Sequence, residues 1–197
     1  MIRVFVAIDF PKEVKSQFAD LVDSLVKEGY PLVFEKEENF HLTLKFLGWC
    51  HKNKLKEIEE AIKKAISGVK PFWFKPSKIG YFLKESLILW IGAEAQEGLN
   101  KLVSQLEEEF AKIGFPKEKR EFSPHITLGR KRRATPSEKW RRIAEEAKNK
   151  FHPEFSSFRV KQIILMESTL TPQGSIYTPV VTFPLKGRRF ISTQNLK

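Results

Sequence analysis

The sequence predicts an α+β fold made of two lobes, each with an antiparallel β-sheet and flanking helices. Three observations support this. Strand-like and helix-like segments alternate in two comparable halves, several strand pairs are joined by tight turns, and no long Pro/Gly/Ser-rich linker separates the halves. We therefore expect residues 1–186 to form a single bilobal domain. The polar, basic tail over residues 187–197 is expected to be poorly ordered.

The individual elements follow from the spacing of apolar residues. Helical spacing after Pro11, ended by Gly29, predicts the first helix. The same spacing predicts three more helices over residues 53–66, 97–113 and 137–150. Apolar runs and alternation predict strands over residues 2–9, 31–35, 40–47, 72–82, 86–93, 121–128, 158–168 and 175–183.

Composition limits the class of protein. The 197 residues include 35 Lys and Arg against 24 Asp and Glu, which gives a net charge of +11 and favours a polyanionic partner such as RNA. The only cysteine, Cys50, excludes an internal disulfide. No apolar run has the length of a membrane span or the form of a secretory signal. We expect a soluble, cytoplasmic monomer that does not bind membranes.

One short pattern occurs twice, once in each half. His41-Leu-Thr43-Leu and His125-Ile-Thr127-Leu both lie in predicted strands. Alternate residues of a strand face the same side, so each histidine shares a face with its threonine, and the aliphatic residues face the core. If the two strands are neighbours, one cleft holds two imidazoles and two hydroxyls.

This set of groups suits the cleavage of a phosphodiester. Imidazole can donate or accept a proton near neutral pH, so two of them can serve the attacking and the leaving oxygen. Threonine hydroxyls can bind the non-bridging phosphate oxygens. A zinc site is a poor fit, because the sequence contains no Cys/His cluster and no His-Glu-x-x-His helix. We expect neither a metal nor a cofactor.

At these residues the sequence resembles the two-histidine phosphoesterase superfamily, and within it the archaeal and bacterial RNA 2′,3′-cyclic phosphodiesterases, also called 2′-5′ RNA ligases. The resemblance covers almost the whole chain. It rests on the stretches RVFVAID at residues 3–9, HLTLKFLG at 41–48, FSPHITLGR at 122–130, MESTL at 166–170 and FPL at 183–185.

The resemblance implies a V-shaped cleft between two antiparallel sheets related by a pseudo-twofold axis. It implies hydrolysis of a terminal 2′,3′-cyclic phosphate to a 2′-phosphate, with reversible 2′-5′ joining of tRNA halves in some members. It also implies that the catalytic group consists of His41, Thr43, His125 and Thr127. As a hypothesis, His125 activates the attacking water and His41 protonates the departing 3′ oxygen.

Three further residues are candidates for contact with the substrate. The resemblance implies base stacking by Phe46 and a phosphate contact by Arg130. Strict strand alternation nevertheless turns both side chains away from the histidine face, which leaves core packing as an alternative for Phe46. Alternation places Lys45 on the histidine face, either as a substrate contact or as a surface lysine.

Two other functions remain open from the sequence. The first is a two-histidine phosphoesterase that acts on a small cyclic nucleotide. The second is a non-catalytic RNA-binding protein that retains the cleft. Substrate profiling separates the first from an RNA enzyme, and RNA binding that survives loss of both histidines without turnover identifies the second.

Overall fold

The computed structural model describes residues 1–83, 87–94, 97–172 and 174–187. The helices in this part of the chain are α1 Lys12–Lys27, α2 Leu55–Ala65, α3 Glu97–Lys112 and α4 Ser137–Lys150. The strands are β1 Ile2–Asp9, β2 Leu32–Phe34, β3 His41–Cys50, β4 Phe72–Phe74, β5 Pro76–Tyr81, β6 Ile88–Ala93, β7 His125–Lys131, β8 Phe158–Val160, β9 Gln162–Thr171 and β10 Gly174–Pro184. The predicted strand start at Ser86 and the tail beyond residue 187 lie outside the described residues.

The strands form two four-stranded sheets and one small pair. The first sheet has the order β10-β9-β1-β3, the second has the order β2-β7-β6-β5, and β4 pairs with β8. Every pairing is antiparallel. The predicted α+β class with two antiparallel sheets and flanking helices is confirmed.

Several predicted strand limits were wrong, and proline explains two of them. A proline has no N–H to donate to a strand ladder, so β5 begins at Pro76 and β7 begins only after Pro124. The predicted strand over residues 72–82 is therefore two strands, of which β4 pairs with β8 and β5 pairs with β6. The neighbours β2 and β3 belong to different sheets.

Strand β1 is buried on both faces, which explains its continuous apolar sequence. One face of β1 packs into the main core together with the inner faces of the helices. The β1 residues on this face are Ile2, Val4, Val6 and Ile8. The other face forms a small separate cluster with β9, made of Phe5, Ala7, Ile164 and Met166. Tyr177 of β10 packs against this second cluster. We call it the cleft floor, because the first histidine lies against it.

Among the described residues, no helix combines the length and the apolar character needed to cross a membrane.

Candidate active site

The two His-x-Thr strands meet where the sheets adjoin. His41 is the first residue of β3, His125 is the first residue of β7, and these two strands contact each other. A cavity of about 1300 Å³ opens at this junction, and its lining includes Thr43 of one sheet and His125 of the other. The structure therefore brings the two halves of the repeat to one site.

The strand faces agree with the predicted alternation over the first four residues of each motif. Leu42 and Leu44 are buried in the core, as are Ile126 and Leu128 of the second copy. The histidines and threonines between them are only partly buried, on the opposite face. Each copy thus presents a His–Thr pair on the side away from the helices.

A β-bulge follows each His-Thr pair and reverses the alternation. In β3, Ala7 lies opposite Thr43 but Val6 lies opposite Lys45, so Leu44 has no partner of its own. In β7 the equivalent residue, Leu128, also has no partner of its own, because Trp90 lies opposite Thr127 and the adjacent Leu89 lies opposite Gly129. A bulge inserts one residue and re-aims the side chains beyond it. Both copies of the repeat carry this device at the same place.

The bulges return Phe46 and Arg130 to the histidine face. The Phe46 ring lies 5.5 Å from the ring of Phe5 on the cleft floor. Arg130 is exposed, and its charge contributes to lowering the pKa of His125. Its Nε lies 3.6 Å from a carboxylate oxygen of Glu35. The facing expected from strict alternation was therefore wrong for both residues.

The same bulge places Lys45 on the core side, which corrects the predicted facing. Lys45 lies opposite Val6 of the main core and is 7% exposed. Although it contributes to the cavity lining, its ammonium binds the carboxylate of Glu107 at 2.7 Å and the carbonyl of Pro116 at 2.7 Å. The lysine that alternation placed on the histidine face, as a substrate contact or a surface residue, instead holds α3 and the loop after it.

Each histidine is oriented by the backbone just before its strand. Nδ1 of His41 lies 2.6 Å from the carbonyl oxygen of Asn39, and Nδ1 of His125 lies 2.8 Å from that of Ser123. A carbonyl oxygen only accepts, so Nδ1 donates its proton in both cases. The neutral rings then carry no proton on Nε2, which is the nitrogen left for chemistry.

Two aromatic rings flank each imidazole. The His41 ring is 4.9 Å from Phe5 and 4.8 Å from Tyr177. The His125 ring is 5.0 Å from Phe82 and 6.4 Å from Trp90. Sequence reasoning missed these four residues, because Phe5, Trp90 and Tyr177 lie on three other strands and Phe82 follows a fourth, and only the pairing of the strands brings them to the histidines.

Burial lowers the pKa of both histidines. Desolvation brings the pKa of His41 to about 4, despite the opposing effects of the Asn39 hydrogen bond and of Asp9. Desolvation also lowers the pKa of His125. When His125 is protonated, its charge lowers the pKa of His41 further, so the two rings interact electrostatically. In the free protein both rings are neutral at pH 7, and a bound phosphate anion raises the pKa of each.

This shift predicts how stability depends on pH. His41 takes up a proton near pH 6.5 when the chain is unfolded and only near pH 4 when it is folded. The unfolded state binds more protons between these values, so the folded protein loses stability as the pH falls from 6.5 to 4, by about 3 kcal/mol from this residue. Denaturant titrations of the wild type and of His41→Gln across this range measure the loss. An equal loss in the variant contradicts the assignment.

A second prediction concerns the indole beside His125. A Cβ built on Gly80 lies 2.1 Å from Cη2 of Trp90, so only glycine lets the indole lie flat there. Gly80→Ala is expected to destabilise the fold by about 1–3 kcal/mol and to slow turnover, because the displaced indole no longer packs beside His125. Thermal unfolding and kcat measure both effects.

The control for this change removes the other partner of the clash. Trp90→Phe in the Gly80→Ala background takes away the outer indole ring and is expected to recover part of the stability. Unchanged stability and turnover in Gly80→Ala alone contradict the packing described for this pair.

Within the described ranges, no group of three or more His, Cys, Asp or Glu side chains is placed to hold a metal ion. The cavity at the two motifs is lined by hydroxyl, aromatic and basic groups, and by three glutamates, of which Glu107 is paired with Lys45. That arrangement suits proton transfer and anion binding on a phosphate.

Comparison with known proteins places this chain in one family. The model of the 2′-5′ RNA ligase superfamily matches residues 10–171. The RNA 2′,3′-cyclic phosphodiesterase of Thermotoga maritima is 36% identical over 177 residues, which are 89% of this chain and 91% of that protein. The protein of the same name from Methanothermobacter thermautotrophicus is 33% identical over 186 residues, covering 93% of this chain and 99% of its own length.

Solved structures show the same fold. A protein of Thermus thermophilus superposes with a TM-score of 0.77 at 24% identity, over 93% of this chain and 98% of its own. E. coli LigT, crystallised with 3′-AMP, superposes with a TM-score of 0.74 at 26% identity, over 93% of this chain and 98% of its own. The family match over most of the chain, with relatives above 30% identity, shows that this chain belongs to the 2′-5′ RNA ligase superfamily.

Proposed function

We propose that this chain is an RNA 2′,3′-cyclic phosphodiesterase that uses His41 and His125 as a paired acid and base, without a metal. The observation that carries the proposal is that both imidazoles are held in the same way. In each, a backbone carbonyl holds Nδ1, which leaves Nε2 for the substrate. The names of the curated relatives support RNA with a cyclic phosphate end as the substrate.

The reaction is an in-line displacement at phosphorus. His125 accepts a proton from water through Nε2 as the water oxygen bonds to phosphorus. The bond from phosphorus to the 3′ oxygen breaks, and His41, protonated in the complex, donates its proton to that oxygen. The 2′ oxygen keeps the phosphate, so the product is a 2′-phosphate with a free 3′-hydroxyl.

Neighbouring groups stabilise the charge of this step. The hydroxyls of Thr43 and Thr127 donate hydrogen bonds to the non-bridging oxygens, where negative charge accumulates. Arg130 adds a positive charge on the side of His125. The negative charge of the phosphate raises the pKa of His41 from its low value in the free protein, which favours the protonated form that the acid requires.

The nucleoside of the terminal nucleotide binds against Phe46, whose ring is 55% exposed on the histidine face. An exposed aromatic ring beside a basic site is a common platform for an unpaired RNA base. Structures of E. coli LigT contain 3′-AMP, ATP or NADP⁺, which is consistent with a nucleotide site in this fold.

The same chemistry accounts for 2′-5′ joining. If the 5′-hydroxyl of a second RNA takes the place of water, the displacement links that oxygen to the phosphate on the 2′ oxygen. The ends of cleaved tRNA halves have the two groups required. We also infer that residues 1–186 form a single bilobal unit and that the protein is a cytoplasmic monomer, as expected from the sequence.

The test is incubation of purified protein with RNA ending in a 2′,3′-cyclic phosphate in the presence of a chelator. A 2′-phosphate product supports the proposal, and a strict requirement for metal overturns it. The comparison with mononucleoside 2′,3′-cyclic phosphates separates an RNA enzyme from one that acts on small cyclic nucleotides. Salt-sensitive RNA binding without turnover indicates a binding protein instead.

A further inference from the structure

Strand β3 carries a second exposed aromatic residue beyond Phe46. Another register shift in the pairing with β1 follows Phe46, after which Trp49 lies directly opposite Arg3. Residues directly opposite each other in an antiparallel pair share a face. The guanidinium of Arg3 lies 5.6 Å from the centre of the Phe46 ring, so Arg3 and Trp49 are on the same face as Phe46.

The three side chains form a line that leads away from His41. Trp49 is 58% exposed, and Phe46 is 55% exposed. Strand residues rise about 3.3 Å each, so the backbone positions of Phe46 and Trp49 are about 7–10 Å apart along β3. Arg3 lies between them, with its cation against one ring and its backbone opposite the other.

This order matches the chemistry of a single RNA strand. Successive unpaired bases stack on aromatic rings, and a basic group between the rings binds the phosphate that links the nucleotides. The terminal nucleotide with its cyclic phosphate occupies the histidine end, so the preceding nucleotide extends towards Trp49. A net charge of +11 and continuity with the phosphate site favour RNA over a protein partner.

We propose that Trp49 and Arg3 form a second nucleotide subsite for the nucleotide that precedes the cyclic-phosphate end, with its base stacked on Trp49 and the linking phosphate bound by Arg3. This inference rests on the proposed function. Such a subsite makes the enzyme selective for an RNA end over a single nucleotide.

The chain offers a matched control. Trp73 of β4 is 60% exposed and lies opposite Arg159 of β8, so it is also an exposed tryptophan paired with an arginine. Its strand belongs to the separate two-stranded sheet and not to either sheet that carries a histidine. The variant Trp73→Ala therefore measures the effect of losing an exposed indole that lies outside the proposed subsite.

The experiment compares kcat/KM for a trinucleotide with a 2′,3′-cyclic end and for a mononucleoside 2′,3′-cyclic phosphate. In Trp49→Ala the ratio of trinucleotide to mononucleotide is expected to fall about tenfold or more, through KM. Trp49→Phe is expected to retain most of the ratio, because a ring remains. In Trp73→Ala the ratio is expected to equal that of the wild type.

A second readout does not depend on turnover. The ratio of the Kd of a trinucleotide ending in a 2′-phosphate to the Kd of the mononucleotide is expected to rise about tenfold in Trp49→Ala. Ratios equal to the wild type in both measurements overturn the subsite while leaving the proposed function intact. Absence of wild-type hydrolysis overturns the function, and the Kd comparison then decides the subsite by itself.

Discussion

Replacing either His41 or His125 with alanine is expected to lower kcat by roughly 10²–10⁴-fold, the usual contribution of one acid or base group. The reason is that each Nε2 serves a different oxygen at the same phosphorus. The loss is expected in kcat at saturating RNA, since neither ring supplies the base-stacking contacts. Single-turnover assays on RNA with a cyclic phosphate end measure it.

The other two histidines provide the control. His51 and His152 are exposed and lie outside the strands that carry the motif, so their alanine variants are expected to keep wild-type kcat. The double variant His41→Ala/His125→Ala is expected to lose little more than either single one, because the pair acts as a unit. Near-normal turnover in either motif variant contradicts the paired mechanism.

Replacing Lys45 with alanine is expected to lower the free energy of unfolding by about 3–5 kcal/mol. The change leaves the largely buried carboxylate of Glu107 without its ammonium partner. It also releases the loop after α3, which the ammonium binds at the carbonyl of Pro116. Chemical denaturation measures the effect.

The matched variant removes both charges. In Lys45→Met/Glu107→Leu no unpaired charge stays buried, so most of the stability is expected to return. The backbone N–H of Glu118, which donates to the Glu107 carboxylate at 2.9 Å, loses its acceptor, so recovery is expected to be incomplete. If Lys45→Ala instead raises KM for RNA without changing stability, Lys45 is a substrate ligand and not a structural residue.

The parts of the fold that depend on local pattern were predictable from the sequence. Helix α4 and strand β1 have the predicted bounds, because α4 follows the helical period without interruption and β1 is one continuous apolar run. The first four residues of each His-x-Thr motif also face as predicted. Local periodicity decides these features, and no distant partner is needed to specify them.

The bulges depend on partner strands and were not predictable from periodicity. The register of β1 against β3 decides whether Leu44 is an inserted residue or a paired one. That register cannot be read from the sequence of β3. One signal was available: an aromatic residue and an arginine, Phe46 and Arg130, occur at the same offset from the two histidines. Both residues lie five positions after their histidine, which strict alternation would place on the opposite face. An odd spacing shared by both copies therefore indicates a bulge in each strand, and Gly129 supports the bulge in the second.

NMR of the histidine ring nitrogens, with and without a nucleoside 2′-phosphate, shows whether both imidazoles act on one phosphate. We expect Nδ1 of His41 and His125 to be protonated in the free protein and the pKa of both rings to rise when the ligand binds, with His51 and His152 as internal controls. A ligand that shifts only one of the two motif imidazoles, or neither, contradicts a site in which both act on one phosphate.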